Sequence, residues 1–183
     1  MHVRNTMKLI KNKRGISLVE ALISVVIFAV IAGIYFLVLL SGSDSWENNR
    51  TIIEVNQEVR KAMDWMKMDL MQAGSTSISD GPTQADGTWY TSITFKVATG
   101  VTSGVVVWST NTIQYILGGA NSTRLLRIQG AQTKTISQDI QSVRFRRQSS
   151  TPNIIEVEVA GRKTSAKQKV ITLNTSFQLR LRN

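Results

Sequence analysis

The sequence contains no cysteine, which excludes a disulfide framework and thiolate chemistry. It contains one histidine, His2, close to the amino terminus. The serines and acids show no catalytic spacing; Glu156 and Glu158 share one face of a predicted strand, where a solvated pair is expected rather than a catalytic dyad. We therefore do not expect an enzyme, and we expect no catalytic residue, no metal site and no cofactor.

Charged residues are absent from a long segment near the amino terminus. Between residues 21 and 40 every side chain is apolar or small except Tyr35. About 20 such residues, wound as a helix, are enough to cross roughly 30 Å of hydrocarbon. One acid, Glu20, stands at the start of the segment, and no proline that could interrupt a helix occurs before Pro82.

Positive charge is concentrated ahead of that segment. The chain has 22 lysines and arginines against 12 aspartates and glutamates, a formal net charge of +10. Residues 1–15 hold five of the basic residues and no acid, so their loss would leave a net charge of +5. Such a leader keeps the amino terminus in the cytoplasm and sends the rest of the chain across the membrane. The other basic residues are scattered without a nucleic-acid motif, so we do not expect DNA as a partner.

Three interpretations compete for the apolar segment. A cleaved secretory signal has an apolar core of about 7–15 residues and a small-x-small cleavage site, whereas this segment is longer and is followed by Ser-Gly-Ser-Asp at 41–44. A plain membrane anchor explains the length but gives Glu20 no role. A signal cut on the cytoplasmic side, between the basic leader and the apolar helix, explains both features.

The position of Glu20 favours the third interpretation. A carboxylate near the centre of an apolar span costs about 2.5–3.5 kcal/mol, and less near its end, so Glu20 needs a partner. If the chain is cut after Gly15, Glu20 becomes the fifth residue and lies about 6 Å along a helix from the new amino terminus. The α-ammonium group freed on a neighbouring subunit would be a suitable counter-charge, which gives Glu20 a role in assembly.

The residues around this position resemble the processing motif of type IV pilins and pseudopilins: Gly15-Ile16-Ser17-Leu18-Val19-Glu20. The resemblance implies that a prepilin peptidase cleaves between Gly15 and Ile16 and methylates the new terminal nitrogen of Ile16. The family more often has Phe and then Thr after the cleavage point, so Ile16 and Ser17 are mild departures from its pattern.

A second helical pattern follows the apolar segment. Glycine costs about 1 kcal/mol in a helix interior, so residues 41–44 could loosen the helix. We favour a continuous or only locally loosened helix because helical periodicity resumes at once. Apolar residues then recur at spacings of 3 and 4, as on one face of a helix: Ile52, Val55, Val59, Met63, Met66, Leu70 and Ala73. We expect this amphipathic helix to run to Ala73 and to stop at Gly74.

From Trp89 onward the apolar period changes to two, which predicts short antiparallel strands with one wet face. The alternating runs lie at 89–97, 113–117, 140–147, 155–159 and 171–181, and two further short runs lie at 105–108, predicted as a buried or edge strand, and at 124–128. In the run 143–147 the apolar residues are expected inside and the charged residues outside. Residues 75–87, rich in Ser, Thr, Asp and Gly, are expected to form a loop with turns rather than a calcium site.

These patterns predict an α+β fold in which a long amino-terminal α-helix with an apolar transmembrane half packs by its C-terminal half against an antiparallel β-sheet domain. The pilin resemblance implies the same fold. The predicted segments are a cleaved cytoplasmic leader at 1–15, a transmembrane or filament-core helix at 16–40, the amphipathic half of the helix at 41–74 and an extracytoplasmic β domain at 75–183.

Three later stretches are similar to PilW-type minor pilins and J-type (PulJ/GspJ) minor pseudopilins: residues 60–74, 154–162 and 172–183. This resemblance implies a minor subunit that helps to initiate or cap a filament. Its partners would be other pilins or pseudopilins, prepilin peptidase, the inner membrane and the assembly platform of the machine. The protein would first be a single-pass inner-membrane protein and then part of the filament.

Two questions stay open at the level of sequence. The machine could be a type IV pilus, a type II secretion system or a competence system. The alternative function is a single-span membrane-anchored module that binds a ligand or DNA and is not processed.

Overall fold

The computed structural model describes residues 17–182 and divides the chain after Asp44 into two compact units. One α-helix, α1, covers Leu18–Leu70. Nine strands follow within the described residues: β1 (Ala73–Asp80), β2 (Ile93–Thr102), β3 (Val105–Trp108), β4 (Ile113–Gly118), β5 (Arg124–Gln129), β6 (Gln132–Ser137), β7 (Ile140–Gln148), β8 (Thr151–Thr164) and β9 (Val170–Arg180). A short 3-10 turn, Ala120–Ser122, lies between β4 and β5.

The helix is uninterrupted through residues 41–44, which confirms the favoured prediction of a continuous helix. One glycine there costs about 1 kcal/mol. Ending one helix and starting another would cost more, because a new helical turn fixes several backbone dihedrals for a single hydrogen bond.

The carboxyl end of α1 differs from the prediction. The helix ends at Leu70, so the predicted extension to Ala73 is wrong, and Ala73 and Gly74 belong to β1. The chain leaves the helix through a tight turn, in which the Gln72 amide donates to the Asp69 carbonyl at 3.1 Å. The amphipathic half of the helix is therefore four residues shorter than the predicted segment 41–74.

Gly74 serves a close approach between strands instead of stopping the helix. A Cβ atom at this position would overlap the ring of Trp108 and would lie 3.1 Å from the carbonyl oxygen of Arg182. The Gly74 amide donates to Ser77 Oγ at 2.9 Å, and Gly74 forms a parallel bridge with Arg182. Only a residue without a side chain fits between these neighbours.

The second unit contains two antiparallel sheets, where the sequence predicted a single one. The larger has the order β1-β2-β4-β5-β6 with β3 paired to β2, and the smaller has the order β7-β8-β9. Single bridges join the two sheets at Gly74 and Arg182 and at Tyr90 and Phe145. The antiparallel pairing agrees with the prediction.

The two strands absent from the prediction, β1 and β6, are the outer strands of the larger sheet. Each carries one large apolar residue, Ile78 in β1 and Ile136 in β6, and both are buried. Outer strands are commonly short of apolar residues and rich in polar ones, because one edge faces solvent. β1 thus occupies the first part of the predicted loop 75–87, and the loop begins at Gly81.

One hydrophobic core lies between the second half of α1 and the strands, as predicted. The buried helical residues are Val55, Val59, Ala62, Met66 and Leu70. Two predicted core positions differ, since Ile52 is 42% exposed and Met63 is only partly buried. Thr51, the residue before Ile52, is buried instead. Its hydroxyl donates to the Glu47 carbonyl at 3.0 Å.

Candidate assembly segment

The apolar part of α1 is exposed along its whole length. Every side chain between residues 17 and 43 is exposed, including Phe28 at 73% and Leu37 at 66%. By length and composition this part of the helix could cross a membrane. Contact with water would be unfavourable over so continuous an apolar surface, so its natural surroundings are lipid or other apolar helices.

Glu20 lies in the first turn of α1 and is exposed. A carboxylate there is stabilised by typically 0.3–1 kcal/mol, because the free amides of the first turn carry the positive end of the helix dipole. Ser24 Oγ donates to the backbone carbonyl of Glu20 at 2.8 Å, which leaves the carboxylate unengaged by that hydroxyl. Among residues 17–182 no cation forms a salt bridge with Glu20. The predicted processing residues, Gly15 and Ile16, lie outside the described residues.

A cluster of polar side chains, which we call the Asp69 cluster (Asp69, Tyr115 and Arg127), fastens the end of α1 to the larger sheet. Asp69 Oδ2 accepts a hydrogen bond from Arg127 Nε at 2.6 Å and another from the Tyr115 hydroxyl at 2.7 Å. Arg127 lies on β5 and Tyr115 on β4, so one carboxylate holds two adjacent strands. Nearby, the Lys134 ammonium lies 4.1 Å from the centroid of the Trp65 ring.

Proton affinities in the Asp69 cluster reflect burial and pairing. Burial raises the pKa of Tyr115, and the Asp69 carboxylate that accepts its hydrogen bond raises it further. Burial is the largest single influence on Arg127 and lowers its pKa, but the hydrogen bond to Asp69, the charge of Asp69 and the contribution of Tyr115 together outweigh burial, so the pKa is raised overall. Both groups therefore hold their protons more firmly in the folded protein than in the unfolded chain.

A second polar contact joins the middle of the helix to the turn after β6. Glu58 Oε2 accepts hydrogen bonds from the Gln138 amide at 2.7 Å and from Ser137 Oγ at 2.9 Å. Ser137 is fully buried, and its hydroxyl also lies 2.8 Å from the Glu58 carbonyl oxygen, so Glu58 offers it two acceptors. No local pattern predicts this contact, because the two segments are distant along the chain.

A third contact is an ion-pair bridge that joins α1, β8 and the turn between β6 and β7. Lys163 Nζ lies 3.2 Å from Glu54 Oε2 and 3.0 Å from Asp139 Oδ2. The hydrogen bond to Asp139 raises the pKa of Lys163. The pKa of Glu54 is lowered by a hydrogen bond from Arg50, which has the larger effect, and by one from Lys163. All three groups of the bridge are about a third exposed, so solvent weakens their attraction.

Glu156 and Glu158 are paired with basic residues on the neighbouring strand rather than simply solvated. Arg146 Nε lies 2.7 Å from Glu156 Oε2, and Arg144 Nη2 lies 3.0 Å from Glu158 Oε2. The guanidinium carbons of Arg146 and Arg144 lie 4.4 Å and 5.5 Å from the centroid of the Trp89 ring. This arrangement is a cross-strand ladder of opposite charges, which stabilises a sheet.

Arg147 is buried, so the expectation that it points outward is wrong. With a period of two it shares the inner face of β7 with Val143 and Phe145. Its Nε donates to the Pro152 carbonyl at 2.8 Å and its Nη1 to the Thr83 carbonyl at 2.9 Å. Burial lowers its pKa.

The amino-terminal segment corresponds to a known family motif. Residues 10–36 match the family model of the prokaryotic N-terminal methylation motif. No curated protein and no solved structure matches the chain. The match includes the first turns of α1 with Glu20, and it supports the prepilin-type, type IV pilin-like character that the sequence resemblance implied.

The methylation motif has general implications for processing and assembly. The pilin-type motif family is structural rather than enzymatic, and the motif implies processing by a prepilin peptidase and association with other pilins. Together with the exposed apolar helix, it indicates membrane anchoring and incorporation into a pilus or pseudopilus. The match ends at residue 36, so the resemblance to PilW-type and J-type subunits stays a prediction.

Proposed function

We propose that the chain is a minor structural subunit that helps to initiate or cap a type IV pilus or a type II secretion pseudopilus. In this proposal a prepilin peptidase cleaves between Gly15 and Ile16 and methylates Ile16. The mature subunit then leaves the inner membrane and enters a helical filament, with its extracytoplasmic domain on the outside.

The observation that carries the proposal is the coincidence of three features on one helix. The methylation motif covers residues 10–36, the side chains of the apolar segment are exposed throughout, and the only acid of that segment lies in the first helical turn. A plain membrane anchor requires the apolar length alone. A filament subunit requires all three, because its helix must serve first in lipid and later among other helices.

Glu20 supplies the charge that directs assembly. A carboxylate that enters an apolar helix bundle alone would be destabilising, whereas one that meets the terminal ammonium of a neighbouring subunit is compensated. The pairing also fixes the axial register between the two helices, because only one offset brings the two charges together. The acid is thus tolerated in the membrane near the helix end and is stabilised in the filament.

The minor role rests on three stretches that follow the apolar segment. Residues 60–74, 154–162 and 172–183 resemble PilW-type and J-type subunits, which are low-abundance members of their filaments. In this role the β sheets of the second unit determine which other subunits bind.

Intact-mass analysis tests the processing step. The protein is purified from cells that contain prepilin peptidase and from cells that lack it. We expect a species that begins at methylated Ile16 only when the peptidase is present. A protein that keeps residues 1–15 in both strains would overturn the proposal and would favour the unprocessed membrane-anchored binding module.

Substitution of Glu20 tests the assembly step. We expect Glu20→Ala to insert into the membrane and to be processed normally, but to be lost from sheared filaments. Glu47→Ala is the matched control, since it removes an acid from the same helix outside the apolar segment. Incorporation of Glu20→Ala at the wild-type level would contradict the pairing role of Glu20.

Subunit counting and gene deletion test the minor role and the machine. Quantitative mass spectrometry of purified filaments should find far fewer copies of this chain than of the most abundant subunit. Deletion should abolish or shorten surface pili if the machine is a pilus, and should block export of secreted proteins if it is a secretion system. A copy number equal to that of the main subunit would exclude the minor role.

A further inference from the structure

The β2–β3 hairpin extends beyond the rest of the larger sheet. We call residues 98–108 the valine hairpin. Residues 99–105 are all exposed, and three of the hairpin's valines are exposed apolar side chains: Val101 at 58%, Val105 at 68% and Val107 at 42%. The strands are joined by a two-residue turn, Ser103 and Gly104, which both have positive φ angles. Neither face of the hairpin tip is covered by the described part of the chain.

Both edges of the valine hairpin are open. Among the described residues β3 pairs with β2 alone. On the other side, the pairing of β2 with β1 ends at Val97, and the next amide, that of Ala98, donates to the Gln72 carbonyl at the helix end. Beyond Ala98 the hairpin is a two-stranded ribbon, which is marginally stable in water without a third strand or a packing partner.

The valine hairpin also lacks the usual protection of an open edge. Natural outer strands commonly carry lysine, another charge or proline, which prevent pairing with other chains. No charged residue and no proline occurs between Lys96 and Arg124. An open, uncharged and valine-rich edge is the kind of surface that accepts an added strand.

Charge distinguishes between a second copy of this chain and a different partner. The second unit, Ser45–Asn183, has 17 lysines and arginines against 10 aspartates and glutamates, a net charge of +7. Two copies would repel each other as they approached, whereas an acidic partner would be attracted. The hairpin itself is uncharged, so it would repel neither kind of partner once the two surfaces touch.

We propose that the valine hairpin binds an extended, uncharged strand of a different and acidic filament subunit, which adds to the open edge of β3. Val105 and Val107 face one side of the ribbon and Val106 faces the other, so an added strand with apolar residues at successive positions would cover both sides. The proposal rests on the proposed function, because it assumes that the chain assembles with other subunits.

Site-specific photocrosslinking in cells tests the proposal. A photoreactive amino acid replaces Val106, and the matched control replaces Ser176 on β9, which is also an outer strand. We expect an adduct from position 106 and none from position 176. Mass spectrometry must place the crosslink in an uncharged segment of an acidic protein that carries its own methylation motif.

Three outcomes would overturn the proposal. An adduct of this chain with itself would assign the hairpin to a second copy, and an adduct with lipid would assign it to the membrane surface. Equal adducts from positions 106 and 176 would show that the hairpin has no specific partner. Processing at Gly15 and the Glu20→Ala assay are read separately, so failure of the hairpin proposal is distinguishable from failure of the proposed function.

A lysine introduced on the edge gives an independent readout. With the photoreactive group moved to Val105, Val106→Lys should abolish the adduct, whereas Ser176→Lys should leave it unchanged. Circular dichroism of both variants in detergent checks that they fold. When the crosslinking is repeated with detergent-solubilised membranes, the adduct should also form more slowly in about 1 M salt, where the Debye length is about 3 Å. A rate that does not change with salt would contradict the acidic character of the partner.

Discussion

Asp69 and Arg127 form an ion pair between the last turn of α1 and strand β5, with Oδ2 and Nε 2.6 Å apart. Their side chains are only 13% and 16% exposed. A carboxylate at the carboxyl end of a helix is disfavoured by the helix dipole, so Asp69 depends on its partner. The pair therefore determines where the helix end meets the sheet.

Asp69→Asn should destabilise the second unit. Asparagine keeps the shape of the side chain but leaves the Arg127 guanidinium largely buried without a counter-charge. We expect the free energy of unfolding to fall by about 3 kcal/mol, measured by tryptophan fluorescence in denaturant on the full chain in detergent. Asp64→Asn, an exposed position on the same helix, should change it by less than about 0.5 kcal/mol. Equal effects of the two variants would contradict a specific role for the pair.

Tyr115 should remain protonated at a pH at which exposed tyrosines ionise. Its pKa is raised above the ordinary value of 10.0 by burial and by Asp69. Its contribution to stability is therefore fully present below pH 10 and is lost as the pH rises above that value. Unfolding measured from pH 9 to pH 12 should show a steeper loss of stability in the wild type than in Tyr115→Phe. If stability fell equally with pH in the wild type and in Tyr115→Phe, the pKa of Tyr115 would not be raised by folding.

Gly161→Ala should strain the contact between helix and sheet. A Cβ atom on Gly161 would lie 2.6 Å from Val59 Cγ2 and 2.9 Å from Val55 Cγ1, so the helix would have to move. We expect a loss of about 1–3 kcal/mol in the free energy of unfolding. Gly100→Ala is the control, since Gly100 also lies in a strand but has no atom within 4 Å of such a Cβ. A neutral Gly161→Ala would mean that the helix is packed less closely than the distances indicate.

Arg147→Lys should loosen the loop that follows β1. The guanidinium group donates to the carbonyls of Pro152, Thr83 and Pro82, and one ammonium group cannot reach the same set in the same plane. We expect a loss of about 1–3 kcal/mol and faster proteolysis within the loop. The Arg162→Lys variant, which changes an exposed position, should be cleaved by the protease at the wild-type rate. Unchanged proteolysis of Arg147→Lys would show that these bonds do not hold the loop.

Two central strands, β4 and β5, were predicted closely because each is a distinct apolar run. The run 113–117 corresponds to β4 and 124–128 to β5, each within one residue at either end. The outer strands β1 and β6 were missed, since each has a single large apolar residue and a composition typical of turns. A strand with so few apolar residues owes its conformation to the backbone of its neighbour, which the local sequence does not contain.

The polar residues discussed above also divide into those that a local sequence pattern identifies and those that it does not. Glu20 was identifiable because a lone acid beside an apolar run is a local feature. Asp69 carried no such signal, because its partner Arg127 is 58 residues away along the chain. Arg147 was assigned to the surface by its charge, although its place in the alternation with Phe145 indicated the inner face.

The sequence by itself determined the apolar span, the acid at its start, the presence of a second helical stripe and the class of the fold. Those features depend on composition and spacing among near neighbours, which any folded arrangement must respect. Only the tertiary structure decided the helix end at Leu70, the two sheets, the buried place of Arg147 and the open edge of β3. These depend on which distant backbone or charge is close by, and that is settled only when the sheets and the helix pack together.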